Sequence, residues 1–279
     1  METSNIIQFP GNNTEKIKFN GISASTIKLV AIVTMLIDHI GAGLLWKMVI
    51  HNGYYNLVNV AEKQAWMETY GWIFHLYRVS RCIGRIAFPL FCFMLVEGFF
   101  YTRSRLKYSI RLLVFGIISE VPFDLFLHNT YFYWDYQNVY FTLFLGLLCI
   151  WCINAIEEAD ILYGCRRIIK SIIIMGVVCV FVYLSFLFKT DYSGVGVMTI
   201  AVMFCIRKHV SGQKLLKESL AGCFILTIYA INEVFTFLGV PLTWLYNGKR
   251  GLKLKYLFYL FYPVHILVIY LVAQWLGYK

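Results

Sequence analysis

The sequence predicts an all-α, polytopic transmembrane helix bundle of about eight spans, one of them short or broken. Hydrophobic residues make up 59% of the 279 residues and charged residues only 14%, which excludes an ordinary water-soluble domain. The apolar residues also form blocks close to the roughly 20 residues of helix that cross about 30 Å of hydrocarbon. Short polar segments separate these blocks, as expected for loops between spans.

Each apolar block is predicted to be one span. The predicted spans are residues 24–46, 84–101, 109–127, 139–156, 170–188, 193–206, 218–238 and 256–276. The sixth is short and begins with Gly194 and Gly196 directly after Asp191 and Tyr192. Irregular backbone is tolerated in a membrane only where it faces protein or a cavity. We therefore expect the sixth span to be tilted or broken beside a cavity.

The polar segments predict the remaining organisation. Residues 1–23 form a polar cytoplasmic tail, and residues 24–279 form a single transmembrane domain in the cell membrane. The longest connection, 47–83, is rich in tryptophan and tyrosine, which is typical of a helix at the membrane interface.

Basic segments predict a cytoplasmic N-terminus. With that orientation, segments 102–108, 157–169 and 207–217 are cytoplasmic and obey the positive-inside rule. The same alternation of predicted spans across the membrane places the basic segment 239–255 on the outer side. Two alternatives remain for it: a short span that the hydropathy pattern misses, or cations that bind a ligand.

The net charge of +10 does not indicate a nucleic-acid partner. The basic residues lie in short segments between spans, where they set topology and contact anionic headgroups of membrane lipids. Most of the eight cysteines lie singly within apolar blocks, which is typical of packing residues. We expect no metal site.

Asp38 and His39 are the first candidates for chemistry, because polar side chains within a span cost energy and mark function by default. A histidine titrates near neutral pH, so His39 is a candidate general base or nucleophile. Adjacent helical residues point about 100° apart, so a partner for His39 is expected from another helix. The alternative is a structural histidine bonded to helix backbone.

Other polar residues predict that a cavity surrounds His39. Arg81 and Arg85 follow Arg78 at spacings of three and four, on one helix face. Glu120 and Asp124 form an acidic face around Pro122, as catalytic acids or as partners in an internal salt bridge. Further polar residues at or near span ends are Glu97, Asn138, Asp191, Tyr192, Glu233, Tyr262 and His265.

Two basic segments are candidates for anion binding. Arg103, Arg105, Lys107 and Arg111 lie in the run TRSRLKYSIR, which is either a topology signal or a seat for phosphates. The turn YNGKRG, with Asn247, Lys249 and Arg250, offers glycine-permitted backbone beside cations, which is typical of an anion-binding nest.

Several long stretches of the sequence resemble the TraX family of F-pilin acetylase-like membrane acyltransferases. The matching stretches are TIKLVAIVTMLIDHIGAG, GRIAFPLFCFMLVEGFFYTRSRLKYSIRLLVFGIISEVPFDL, QNVYFTLFLGLL, DYSGVGV, and LYNGKRG followed by KYLFYLFYPVHILVIY. They occur in family order over most of residues 25–272.

The resemblance implies a multi-pass acyltransferase that uses acetyl-CoA or another acyl-CoA as donor. Its catalytic histidine would be His39. As a general base, His39 would deprotonate an amine or hydroxyl of a peptide, glycan or small-molecule acceptor; as a transient acyl carrier, it would first take the acyl group itself. The CoA phosphates would contact Arg103, Arg105 and Lys107, with Arg81, Arg85 or Arg111 as further contacts. Two alternatives remain: a transporter or lipid-handling protein with a midplane cavity, and a non-enzymatic assembly factor for a surface structure.

Overall fold

A computed structural model of the protein describes residues 21–159, 167–253 and 255–278, and these residues form a helical bundle without β-strands. This confirms the predicted all-α fold. The α-helices are α1 Ala24–Ile40, α2 Trp46–His51, α3 Val60–Gly84, α4 Ala87–Tyr101, α5 Arg105–His128, α6 Val139–Glu158, α7 Arg167–Leu187, α8 Ser193–His209, α9 Lys214–Tyr229, α10 Val240–Trp244 and α11 Lys255–Trp275. A π-helix, Gly41–Leu45, joins α1 to α2, and 3-10 helices occupy Tyr54–Asn56 and Ile231–Gly239.

Five helical stretches within the described residues are long and apolar enough to cross a membrane. They are Ala24–His51, Val60–Tyr101, Val139–Glu158, Ile168–Leu187 and Tyr256–Trp275. Helix α5 packs against α6 and α11, and α8 packs against α6, α7 and α9. The chain is therefore a multi-pass membrane protein, while the total of eight spans stays a prediction.

Helix α1 and its continuation pack antiparallel to α3. The Ser23 hydroxyl caps α1 by accepting a 3.3 Å hydrogen bond from the Thr26 amide. Gly41 lets the π-helix approach α3, because an added Cβ would lie 2.0 Å from the Ser80 hydroxyl. Trp46 stacks on Tyr77 with ring centroids 4.8 Å apart. These contacts fix the α3–α4 junction beside the second half of α1.

Residues 47–83 do not form a single surface segment. They comprise most of α2, a short 3-10 turn and nearly all of α3, which an Asn59–Glu62 capping box begins. Trp66 donates a 2.8 Å hydrogen bond to the Asn52 carbonyl across this hairpin. The interfacial location of the segment stays a prediction.

The expected break lies in the seventh predicted span and not in the sixth. Helix α8 is continuous over its 17 residues, so the sixth predicted span is short, as expected, but it is not broken. Gly196 instead provides close packing, because an added Cβ would lie 2.5 Å from a Thr142 methyl carbon. The predicted span 218–238 ends as an α-helix at Tyr229 and continues as the 3-10 helix Ile231–Gly239.

The second half of that broken span returns the chain to the N-terminal end of α1. The Ala24 amide donates to the Lys249 carbonyl at 2.9 Å, and the Ser25 amide donates to the Arg250 carbonyl at 3.1 Å. The basic turn therefore lies on the side of the bundle where α1 begins. Both alternatives for segment 239–255, a missed short span or cations that bind a ligand, stay predictions.

The bundle consequently has two distinct ends. The N-terminal side is defined by Ser23, Arg103 and Lys249, and the cavity side by Asp38, Tyr136 and Asp191. The polar tail 1–20 and the basic residue Arg166 lie outside the described residues, as does the side chain of Arg167.

Candidate functional site

A polar cavity of about 510 Å³ opens on the cavity side of the bundle. Its walls come from the end of α1, the α3–α4 junction, the end of α5, the start of α8 and the segment that follows α9. Its polar lining residues are Asp38, His39, Arg81, Arg85, Tyr136, Thr190, Asp191, Tyr192, Ser193, Tyr229, Asn232, Glu233 and Tyr262. The volume is within the range of small-molecule sites.

His39 has the partner from another helix that the sequence predicts. His39 Nδ1 lies 2.6 Å from His265 Nε2, and the two rings stack with centroids 4.9 Å apart. His265 comes from α11 and is 6% exposed. Phe126 and Tyr262 contact the His39 ring edge-on at centroid distances of 5.6 and 5.9 Å. The Phe126 and Tyr262 rings therefore hold His39 against His265.

The hydrogen bonds of this pair assign the tautomer of each neutral ring. His265 Nδ1 lies 2.7 Å from the Phe261 carbonyl oxygen, which can only accept, so Nδ1 carries the proton. His265 Nε2 then has a lone pair and accepts from His39 Nδ1–H. His39 Nε2 is left without a proton and, among the described residues, without a hydrogen bond. His39 can therefore accept a proton at Nε2 from a ligand in the cavity.

Two ion pairs line the cavity beside His39. Arg81 Nη1 donates to Asp38 Oδ2 at 2.6 Å, and Arg85 Nη1 donates to Glu233 Oε1 at 2.7 Å. Gly84 makes the first pair possible, because a Cβ there would lie 2.1 Å from Asp38 Oδ1. Each guanidinium keeps further N–H donors for a ligand. The ion pairs also keep the charges balanced within the apolar bundle.

The turn before α8 adds a third carboxyl group. Tyr136 donates a 2.6 Å hydrogen bond to Asp191 Oδ1, which also accepts from the Tyr192 amide at 2.9 Å. Burial raises the pKa of the Asp191 carboxyl, and burial together with the Asp191 charge raises the pKa of the Tyr136 phenol. Tyr136 therefore remains a proton donor that fixes Asp191 at the cavity wall.

The structure brings together part of the predicted site. His39, Asp38, Arg81, Arg85, Asp191, Tyr192 and Tyr262 line the cavity, and His265 supports His39 from behind. Tyr136 was not among the predicted site residues. It lies in a loop rich in aromatic residues, and nothing in that loop singles it out from Tyr131 or Tyr133.

Glu120 and Asp124 do not line the cavity. Glu120 accepts hydrogen bonds from the backbone and side chain of Asn138, which caps α6, and Asp124 accepts from the Tyr133 amide at 2.8 Å. Neither pairs with an arginine in the part of the chain that the structure describes. The structure therefore gives these acids and Asn138 a role in anchoring the 129–138 loop.

Glu97 belongs to a second charged cluster, on the N-terminal side. Arg207 pairs with both Glu97 and Glu218, and Tyr246 donates a 2.8 Å hydrogen bond to Glu97. The side chains of Arg207, Glu97 and Glu218 are 8%, 7% and 0% exposed. We name these three residues the Arg207 triad. The sequence analysis did not pair Arg207 with either acid.

The residues predicted to hold CoA phosphates, apart from Arg81 and Arg85, lie on the same side as this triad. Arg105 packs over the Phe99 ring, with Cζ 4.4 Å from the centroid, and Arg111 packs over Tyr108 at 5.7 Å. The part of α4 after Phe91, which lines the cavity, is about 15 Å of helix and separates Arg103 from the cavity. The remaining members of this group, none of which lines the cavity, are Lys107, Asn247, Lys249 and Arg250.

Comparison with known proteins identifies the family of the chain. The family model described as TraX protein matches residues 23–273, which include every residue that lines the cavity. The chain belongs to the TraX family. A protein from Dichelobacter nodosus, described as probable fimbrial assembly protein FimC, serogroup H1, is 28% identical to this TraX protein over 268 residues, covering 88% of this chain and 93% of its own length. No solved structure matches.

Proposed function

We propose that this TraX protein is a membrane acyltransferase that moves an acetyl or other acyl group from acyl-CoA to an amine or hydroxyl acceptor. The supporting observation is that His39 lines a polar cavity while its Nδ1 is committed to His265, which leaves Nε2 without a proton. A purely structural histidine pair would not need a cavity at its reactive nitrogen. A base of this kind is what acyl transfer from a thioester requires.

In the proposed reaction, His39 Nε2 removes a proton from the acceptor as the acceptor nitrogen or oxygen attacks the thioester carbonyl carbon. Arg81 provides positive charge for the oxygen of the tetrahedral intermediate. The carbon–sulfur bond then breaks, and the His39 imidazolium returns the proton to the thiolate. The products are the acylated acceptor and free CoA thiol.

Of the cations predicted to contact the donor, Arg81 and Arg85 are the two that line the cavity. We assign the donor's polar contacts near the thioester to their remaining N–H groups. The acyl end and part of the pantetheine arm occupy the cavity in this proposal. The nucleotide end stays outside, because a complete CoA is larger than an ordinary small-molecule pocket.

The acceptor class follows from the relative. Because the Dichelobacter nodosus protein is described as a probable fimbrial assembly protein, we propose that this chain acts on a component of a surface fibre or its assembly machinery. The same description favours a second candidate function, a non-enzymatic assembly factor. In that case the charged cavity would bind a partner's polar segment without chemistry.

The test uses purified protein in detergent, acetyl-CoA, and a panel of amine- and hydroxyl-bearing peptides and glycans, with release of CoA thiol as the readout. We expect acceptor-dependent release by the wild type and a loss of roughly 100-fold or more for His39→Ala, the range for a general base. His75→Ala is the matched control, since His75 is exposed on α3 outside the cavity.

Two results would redirect the assignment. Full activity of His39→Ala would exclude His39 as the base. Absence of both acetyl-CoA binding and turnover, together with normal fibre assembly by His39→Ala, would favour the assembly factor.

A further inference from the structure

A second cavity lies on the opposite face of the histidine pair. It is a groove of about 440 Å³ between α1 and α11, and its lining is apolar except at His265. Leu36, Ile40 and Leu44 form one wall at helical spacings of four. Val264, Val268 and Val272 form the other wall and are 47%, 51% and 39% exposed. The groove therefore faces outward from two membrane-spanning helices.

Two lysines locate this groove within the membrane. Lys28 lies over the Phe258 ring and Lys47 lies over the Tyr270 ring, each with Nζ 5.6 Å from the centroid. Both contacts join the α1–α2 rod to α11. The lysines are 19 residues apart, about 28 Å of helix, which matches the roughly 30 Å thickness of the hydrocarbon core. The groove, between Leu36 and Leu44, lies in the half of the core nearer to Lys47.

Lys47 is positioned to meet a lipid headgroup. It lies one turn beyond Leu44 and makes no ion pair within the described ranges of the chain. Trp46 adjoins it in sequence, and Trp275 near the end of α11 is 83% exposed, as is typical of residues at the headgroup level. A phosphate is the anion available at that level of a bilayer.

We propose that the groove is a phospholipid site, with the phosphate at Lys47 and one acyl chain lying between α1 and α11 as far as His265. Lys47 provides a cation at the headgroup level one turn beyond Leu44, and the apolar walls of the groove meet the chain. The bound chain packs against the groove side of His265, while His39 contacts the same ring from the cavity. The lipid thus completes the enclosure of the histidine pair. This site does not depend on the proposed acyl transfer.

Native mass spectrometry of the full chain, purified in mild detergent with added palmitoyl-oleoyl-phosphatidylglycerol, tests the proposal. Val268→Trp fills the groove and is expected to lower lipid retention by roughly tenfold or more, because it displaces the chain. Lys47→Gln leaves the groove open and is expected to lower retention about fivefold, equivalent to roughly 1 kcal/mol for one cation near the headgroups. Val180→Trp on α7, at a position 56% exposed, is the matched control and is expected to retain lipid as the wild type does.

Retention by Val268→Trp equal to that of the wild type would overturn the site. A protein dimer that binds no lipid in this groove and that Val268→Trp dissociates would also overturn it, because a second copy would then be the occupant. If Val268→Trp fails to fold, the lipid retention of Lys47→Gln is compared with that of Val180→Trp. Equal retention by these two variants rejects the phosphate contact and the proposal with it.

Discussion

The His39 cavity and the Arg207 triad both hold charged side chains within the helical bundle, but they differ in access. The Arg207 triad is closed, with its three side chains at most 8% exposed. In the cavity, Arg81 and Arg85 are 28% and 23% exposed, and the reactive nitrogen of His39 has no partner within the described residues. A charge buried in a span therefore does not by itself mark a reactive site. Access and an uncommitted acceptor distinguish one from the other.

The largest expected effect is the loss of stability when a substitution breaks the Arg207 triad. Arg207→Met leaves Glu97 and Glu218 buried without a cation, which costs about 3–5 kcal/mol of stability. Thermal unfolding in detergent measures this cost. Arg81→Met in the cavity is the matched control, and we expect a cost of only about 1 kcal/mol, because water screens that pair. Equal losses for the two variants would remove the proposed distinction between the clusters.

A smaller effect, on rate, is expected at His265. Replacing it with phenylalanine removes the acceptor that fixes the His39 tautomer, and turnover is expected to fall about 10–100-fold, as for other groups that orient a reactive histidine. His265→Gln restores an acceptor and should recover part of the turnover. The ratio of the two kcat values is the measurement. If glutamine and phenylalanine give the same rate, His265 serves packing and not positioning.

Asp124 tests the reassignment of the acids on α5. Asp124→Ala removes the acceptor of the Tyr133 amide, and we expect a loss of about 1–2 kcal/mol in stability with turnover little changed. Unfolding and CoA release, measured on the same preparation, separate these effects. A loss of turnover at unchanged stability would return Asp124 to the catalytic role that the sequence analysis gave it.

The smallest effect is expected on the N-terminal side. Arg103→Ala should change the KM for acetyl-CoA by less than about twofold, because Arg103 lies well beyond the roughly 8 Å screening length from the cavity. Arg85→Ala is the contrasting variant, because Arg85 lines the cavity. A large rise in KM for Arg103→Ala alone would show that the donor enters from the N-terminal side, as the sequence analysis predicted.

The sequence predicts the helices well because crossing a membrane imposes a simple length and polarity on each of them. The broken seventh span is harder to predict. The residues from Ile225 to Leu238 contain neither proline nor glycine, so no helix-breaking residue indicates the change to a 3-10 helix after Tyr229. One consequence is that the hydropathy pattern predicts residues 218–238 as one continuous span.

Only part of the candidate site can be predicted from the sequence, because a sequence does not show which distant residues meet. His39 is conspicuous because a polar residue within a span costs energy, but its contact with His265 joins positions 226 residues apart, which one sequence does not pair. The spacing of Glu120 and Asp124 correctly shows that they share a helix face. It does not show which neighbour that face meets, and the neighbour is the 129–138 loop.

The π-helix at Gly41–Leu45 gives the first span two angular phases. A π-turn holds one more residue than an α-turn, so the residues after it are rotated by about 100° relative to an uninterrupted α-helix. Asp38 and His39 keep the phase of α1, whereas Trp46 and Lys47 follow the shifted phase of α2. Losing one residue from Gly41–Leu45 would restore a straight α-helix and leave Trp46 on Tyr77, because the loss of the extra residue cancels the rotation. Gaining or losing a residue elsewhere between Asp38 and Trp46 would instead rotate one half of the span relative to its neighbours.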